Sequence, residues 1–159
     1  MENFNKSTLR IAQPSQKSAA KGHKGWGDNL LIAMAGATAI SGFVMDMNKT
    51  HMFNPKWTPH SKFHNAISIM NGAILGAAGL YFLLGKHKDK KTALKLGAAL
   101  PGMFWSSLIA APLFPGAKGM EAEFPNKVPK IGNTYITESA SASLNLVLIA
   151  IGYLKARRK

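Results

Sequence analysis

Four long apolar segments, separated by short clusters of charged residues, dominate the pattern of this chain. They cover about residues 29–47, 65–84, 94–114 and 135–154. About 20 apolar residues in a helix, rising about 1.5 Å each, cross the roughly 30 Å hydrocarbon layer of a bilayer. The pattern therefore predicts an all-α protein, an integral membrane four-helix bundle that occupies residues 28–155.

Sequence details refine this prediction. Gly72, Gly76 and Gly79 in the second segment are typical of helices that pack closely in membranes. Pro112 is expected to help end the third helix. Residues 1–27 are polar and basic and show no apolar periodicity, so they are expected to be disordered or to lie on the membrane surface, with Trp26 as an interfacial anchor. Residues 156–159 form a basic tail.

The positive charge of the chain, +13 over 159 residues, indicates how the bundle is oriented. Lys and Arg number five before the first apolar segment, five around the connection between the second and third (counting Lys95 at the start of the third), and four at the end, against three in each of the other two connections. The positive-inside rule then places both termini and the middle connection in the cytoplasm, and residues 46–63 and 114–134 outside. Positive residues that flank apolar segments indicate anionic lipid headgroups as partners, which excludes nucleic acid. No small-residue cleavage site follows the first segment, so a retained helix and a bacterial inner membrane are expected.

The connection between the first two apolar segments carries the candidate chemistry. Its sequence from Asp46 to Asn71, DMNKTHMFNPKWTPHSKFHNAISIMN, holds one Asp, three His, four Asn, two Pro and one Trp. The chain has no cysteine, so any metal ion needs His, Asp or Glu ligands.

His60 and His64 are four residues apart, which places both rings on one face of a helix, and Ser68 and Asn71 continue that polar line. Imidazole can ligate haem iron or a divalent metal, or pass protons near neutral pH. The pattern predicts His60, His64 and Trp57 as haem-binding residues, or His51, His60 and His64 as ligands of iron or zinc. The alternative interpretation is that these rings only cap a helix or bond loop carbonyls.

Three polar side chains are candidate catalytic groups. Asp46 could orient one of the imidazole rings. Glu138 could act as an acid, a base or a metal ligand if it faces the His residues, or it could be solvated among headgroups. Asn71 could contact a substrate or hydrogen-bond another helix. The aromatic residues near the outer end, including Trp105 and Tyr135, are expected to form an interfacial belt.

The sequence also resembles two known families. The segment THMFNPKWTPHSKFH resembles the signature of an uncharacterised family of small four-helix membrane proteins. A weaker resemblance, to the membrane-bound styrene oxide isomerases, rests on GFVMDMN, on Trp57 followed by His60 and Ser61, on Asn71 with Gly72, and on IGY in the fourth segment. It implies that His60 or His64 ligates haem b, that Asn71 assists at the substrate, and that the protein is a trimer. The third segment lacks the Asp and Tyr that these isomerases place there, which leaves the substrate and the reaction open.

These observations together predict a small membrane enzyme with a His-bearing haem or metal site at the outer end of the bundle. Its substrate would be an apolar, membrane-soluble small molecule, and its reaction isomerase-like, as in epoxide isomerisation. The expected partners are membrane lipid, this substrate and further copies of the chain, as in a homo-oligomer such as a trimer. The competing hypothesis is a non-catalytic membrane protein, such as a transporter subunit, a lipid-binding module or an assembly factor.

Overall fold

The computed structural model describes residues 24–158, so most of the predicted basic N-terminal segment (residues 1–23) and Lys159 of the basic tail lie outside the described residues. Within the described part the chain is mostly helical. The helices are α1 (Trp26–Asp46), α2 (Pro59–Leu84), α3 (Lys90–Ala110) and α4 (Glu138–Ala156). Each is long and apolar enough to cross a membrane, α3 together with the short helix that follows it, which indicates a multi-pass membrane protein.

The starts of α2 and α3 are set by local hydrogen bonds. The Thr58 side chain accepts a hydrogen bond of 3.2 Å from the Ser61 amide, and Pro59 occupies the first turn, where its missing N–H is not needed. Helix α2 thus begins about two turns before the predicted apolar segment, because its first turns are polar. Asp89 caps α3 in the same way, accepting 3.0 Å from the Thr92 amide.

Helix α3 ends at Ala110 and continues as a short 3₁₀ helix, Ala111–Leu113, that contains Pro112. The prediction that this proline helps to end the third helix is consistent with that transition. Two small features of the connection to α4 were not predicted. They are the 3₁₀ helix Met120–Ala122 and an antiparallel pair of short strands, β1 (Lys130–Ile131) and β2 (Thr134–Tyr135). Because Thr134 and Tyr135 pair as a strand, α4 begins at Glu138, a few residues later than predicted.

Helix α1 packs on α2 and α4, and α3 packs on the same two helices from the other side. At Gly76 the backbones of α1 and α2 come so close that a Cβ would lie 2.6 Å from the Ala35 carbonyl oxygen. The bundle is thus held by close helix contact as well as by apolar side chains. The buried core comprises Leu31, Met34, Ala98, Phe104, Trp105, Ala142, Ile149 and Ala156.

The connections alternate between the two ends of the bundle. Lys24 Nζ donates 3.2 Å to the Leu83 carbonyl, so the start of α1 lies beside the end of α2. The backbone of Gly27 lies against Ala156 at the end of α4. We call this the basic end (residues 24–25, 85–89 and 157–158), and the opposite one the loop end (residues 47–58 and 111–137). The side of the membrane on which each lies stays a prediction.

The placement of Trp105 in an interfacial aromatic belt was wrong. Its side chain is buried in the bundle, and its indole N–H donates 2.8 Å to the Thr38 hydroxyl of α1. The physical reason is that the indole N–H of tryptophan needs a hydrogen-bond acceptor, and a buried hydroxyl can accept that hydrogen bond as well as interfacial water can.

Candidate functional site

A pair of histidines lies on the outer face of α2 near the loop end. The Nε2 atoms of His60 and His64 are 3.1 Å apart, and their rings are nearly perpendicular, at 88°. Both side chains are exposed. The hydrogen bond requires one ring to carry hydrogen on Nε2 and the other to present a bare Nε2. Two imidazole nitrogens therefore meet at one point, as a shared ligand position or a proton relay needs.

An open apolar groove of about 320 Å³ lies beside this pair on the same helix face. Its lining residues are Phe63, Ala66, Ile67, Met70 and Asn71, and the surface that they present to the groove is almost wholly apolar. Phe63 stacks on His60 with ring centroids 6.3 Å apart, so the groove and the histidine pair are continuous. Asn71 lies about 10 Å beyond His64 along the helix axis. We call His60, His64 and the five groove residues the α2 site.

Asn71 sits near the middle of α2, and its side chain is exposed on the outside of the bundle. The Asn71 side chain forms no hydrogen bond with any residue between 24 and 158. Asn145 of α4 differs, because its Nδ2 donates 2.8 Å to the Ser141 carbonyl of its own helix. An amide that faces hydrocarbon without a hydrogen-bond partner is unfavourable, so the exposed Asn71 side chain is available to a partner from outside the described chain.

The three predicted metal ligands do not converge. His51 lies in the loop 47–58, where its Nδ1 is 2.9 Å from Thr50 Oγ1 and its ring meets the edge of Trp57 at 5.7 Å. In the described region no three His, Asp or Glu side chains are close enough to hold a metal ion together. The structure therefore does not bring His51 together with His60 and His64, and their role as metal ligands stays a prediction. Likewise, Trp57 packs on His51 rather than covering the histidine pair.

Asn54 explains this arrangement, and its burial is not evident from the sequence. The residue is only 2% exposed. Its Nδ2 donates 3.3 Å to the Thr50 carbonyl, and its Oδ1 accepts 3.0 Å from the Lys56 amide. These bonds fix the turn that holds His51 away from α2. The only signal in the sequence is the Asn before Pro55, a pairing typical of turns.

The carboxylates gather at the loop end. Glu138 Oε1 accepts 2.9 Å from the Met120 amide, which ties the start of α4 to the 3₁₀ helix. The second oxygens of Glu138 and Glu121 are both enclosed beside Gly119, and neither has a hydrogen-bond partner in the described part of the chain. Asp46 interacts electrostatically with His51 and with Glu138.

The predicted catalytic groups are thus divided between two places. Asp46 and Glu138 are neighbours at the loop end, whereas Asn71 lies on the outer face of α2. Among residues 24–158, neither acid hydrogen-bonds the His60–His64 pair. Of the two alternatives for Glu138, neither facing these histidines nor lying solvated among headgroups describes its Oε1, which accepts the hydrogen bond from the Met120 amide.

Comparison with known proteins gives one informative result. No curated protein and no solved structure matches the chain. The resemblance to styrene oxide isomerases therefore has no support from these comparisons. A family described as a family of unknown function (DUF6640) matches residues 31–159, which include most of α1, the histidine pair and the other three helices. The chain therefore belongs to the DUF6640 family of unknown function.

Proposed function

We propose that this protein is a small integral membrane enzyme that rearranges an apolar, membrane-soluble substrate at the α2 site. One observation carries the proposal. Two imidazole nitrogens 3.1 Å apart lie beside an apolar groove that Asn71 also lines. Polar groups at membrane depth are functional candidates by default, because exposure to lipid costs free energy.

The groove suits a substrate that arrives sideways from the lipid. Phe63, Ile67 and Met70 offer apolar surface to a hydrocarbon body, and the exposed Asn71 amide beside the groove has two donor hydrogens and an acceptor oxygen for a polar atom. The histidine pair can give a proton at one ring and take one at the other. An isomerisation, such as conversion of an epoxide to a carbonyl compound, needs neither water nor a second substrate, so an apolar site is compatible with it.

The donor set fits a haem better than a lone metal ion. His60 and His64 offer two nitrogens, and no third His, Asp or Glu of the described chain joins them. A structural or catalytic zinc site normally takes three or four protein ligands. Haem b brings its own ring nitrogens, so one or two side chains of the protein would be enough to hold it. His60 or His64 would hold the iron, which when bound would act as a Lewis acid toward a substrate oxygen.

The visible spectrum and metal content of the full chain, purified in mild detergent, test the cofactor. We expect a haem absorption band, as isolated or after addition of haemin, that is lost or shifted in His60→Ala or His64→Ala. His87→Ala is the matched control, because His87 lies at the basic end and bonds the Tyr81 carbonyl. A colourless, metal-free protein that takes up no haemin would remove the haem and metal part of the proposal.

Asn71 also supports a second candidate, a non-catalytic membrane protein that assembles through α2. Its unpartnered amide at mid-helix favours contact with another copy of the chain, in a homo-oligomer such as a trimer. Native mass spectrometry tests whether α2 serves assembly, and together with the visible spectrum above it distinguishes the two functions. Asn71→Leu should reduce the oligomer to monomers if α2 serves assembly, and Asn145→Leu, which removes an amide already bonded within its own helix, should not.

Two further parts of the proposal concern location. The protein would reside in a bacterial inner membrane with its basic end in the cytoplasm. The excess of Lys and Arg at that end supports this orientation.

A further inference from the structure

A second groove, separate from the α2 site, runs between α3 and α4 near the basic end. It measures about 350 Å³ and is open on the outside of the bundle. Its walls are Ala98, Ala99, Leu146, Ile149 and Ala150. The three alanines leave space between the helices that larger side chains would fill. No residue of α2 contributes to it.

Positive charge stands at one end of this groove. Lys95 and Tyr153 line the end toward the basic end, and Lys95 contributes only apolar surface, so its aliphatic stem lies along the wall. The Arg157 guanidinium lies 5.8 Å from the centre of the Tyr153 ring. Lysine stems commonly follow apolar surface while the ammonium reaches the headgroup layer.

Other positive residues at the basic end add to the charge of Lys95 and Arg157. The described part of the basic end and the adjoining helix turns carry far more positive than negative residues. The positive ones are Lys24, Lys86, Lys88, Lys90, Lys91, Lys95, Lys155, Arg157 and Arg158, against Asp28 and Asp89.

From this combination we infer that the α3–α4 groove binds an anionic phospholipid of the surrounding membrane. One acyl chain lies in the alanine-lined groove, and the headgroup phosphate meets the Lys95 ammonium and the Arg157 guanidinium. The lining runs along α4 from Leu146 to Tyr153, about two turns, and along α3 from Lys95 to Ala99, about one turn, so it suits part of a hydrocarbon chain and offers a small water-soluble anion no contact beyond the two cations. Charge complementarity selects an anionic headgroup over a zwitterionic one.

Lipid binding to the full chain, measured by native mass spectrometry in detergent, tests this inference. Dioleoylphosphatidylglycerol and dioleoylphosphatidylcholine carry the same acyl chains, so a difference between them reports the headgroup alone. We expect the glycerol lipid to bind at least about fivefold more tightly, which corresponds to one cation near the surface. Lys95→Gln should remove most of that preference, because it weakens the glycerol lipid more than the choline lipid, whose own cation offsets part of the phosphate charge.

Lys90→Gln is the matched control, because it removes the same charge from the same helix about 140° away from Lys95. It should change the preference by less than twofold. Ala150→Phe, at an exposed position that fills the groove, should weaken both lipids. If that variant does not fold, as judged by its helical circular dichroism, Ala99→Leu replaces it.

Several results would overturn the inference: equal affinity for the two lipids, equal losses in Lys90→Gln and Lys95→Gln, or unchanged binding when the groove is filled. Displacement of the lipid by glycerol phosphate at the same concentration would also overturn it, because it would identify a site for a soluble anion. None of these results bears on His60 or His64, so this inference and the proposed function fail independently.

Discussion

The indole nitrogen of Trp105 donates a hydrogen bond of 2.8 Å to the Thr38 hydroxyl, which joins α3 to α1 across the centre of the bundle. Thr38 is fully buried and donates its own hydrogen 2.8 Å to the Met34 carbonyl. Each polar group in this contact is therefore satisfied. In a bundle surrounded by lipid, such a bond fixes the relative position of two helices that are not neighbours in sequence.

Replacing either partner should destabilise the bundle. Thr38→Val keeps the volume but leaves the indole N–H buried without an acceptor, for which we expect a loss of about 1 kcal/mol in the free energy of unfolding. Trp105→Phe removes the donor. In a double-mutant cycle the coupling energy should be about 0.6 kcal/mol, the usual value for such bonds in membrane helices. Unfolding in mixed micelles, followed by circular dichroism, measures it; strictly additive losses would show that the bond contributes nothing.

Hydropathy alone was enough to predict the four helices, because the thickness of a bilayer fixes both their length and their apolar content. It misplaced the start of α2, since the turn at Thr58 and Pro59 is polar and is set by capping rather than by hydropathy. The positions of His60 and His64 on one face also followed from spacing. The position of His51 did not, because it depends on Asn54, whose burial is a property of the folded loop.

The partners of Trp105 and Glu138 were equally hidden. Thr38 lies 67 positions from Trp105, and Met120 lies 18 positions from Glu138. No local pattern connects such residues, so only packing shows whether an aromatic or a carboxylate near a segment end turns inward or outward.

The close approach of α1 and α2 at Gly76 makes a second prediction. A methyl group there would meet the Ala39 amide nitrogen and would lie 2.6 Å from the Ala35 carbonyl oxygen, and backbone atoms cannot move aside as side chains do. Gly76→Ala should therefore lower stability by about 1–3 kcal/mol. Gly36→Ala is the matched control, since nothing lies within 4 Å of its added methyl group. Equal stability of the two variants would contradict the close contact.

Asp89 gives the start of α3 a dependence on pH. Hydrogen bonds from the Thr92 side chain and backbone, with smaller contributions from the Lys91 backbone and the charge of Lys95, lower the pKa of this exposed carboxyl below its ordinary value of 3.8. A lowered pKa means that the folded state favours the anion. Its contribution to stability is complete above the unfolded pKa and is lost as the pH falls through the folded value. Asp89→Asn should keep the cap and remove this part of the acid dependence, measured as helical signal from pH 6 to pH 2. An unchanged acid profile would argue against the cap.

The bond between Glu138 and the Met120 amide should hold the connection 111–137 against the bundle. Glu138→Ala removes the acceptor, so trypsin should cut faster after Lys118 and Lys127, both of which are exposed. Glu138→Gln keeps an acceptor oxygen at that position and also removes one of the two charges beside Gly119, so its cleavage should stay near the original rate. Glu123→Ala, at an exposed glutamate of the same connection, is the control. Faster cleavage in Glu138→Gln than in Glu138→Ala would show that charge, and not this bond, sets the order of the connection.

The orientation of the bundle can be tested because the chain has no cysteine of its own. Lys56→Cys, Lys127→Cys and Lys88→Cys each replace one exposed lysine, so the three variants change charge equally. A membrane-impermeant maleimide added to intact cells should label positions 56 and 127 at the loop end, and should label position 88 only after the membrane is opened. Labelling of 56 and 127 from opposite sides would contradict the four-helix arrangement itself. Labelling of 88 alone would keep that arrangement and reverse its direction, which would mean that the count of Lys and Arg does not govern how this protein inserts.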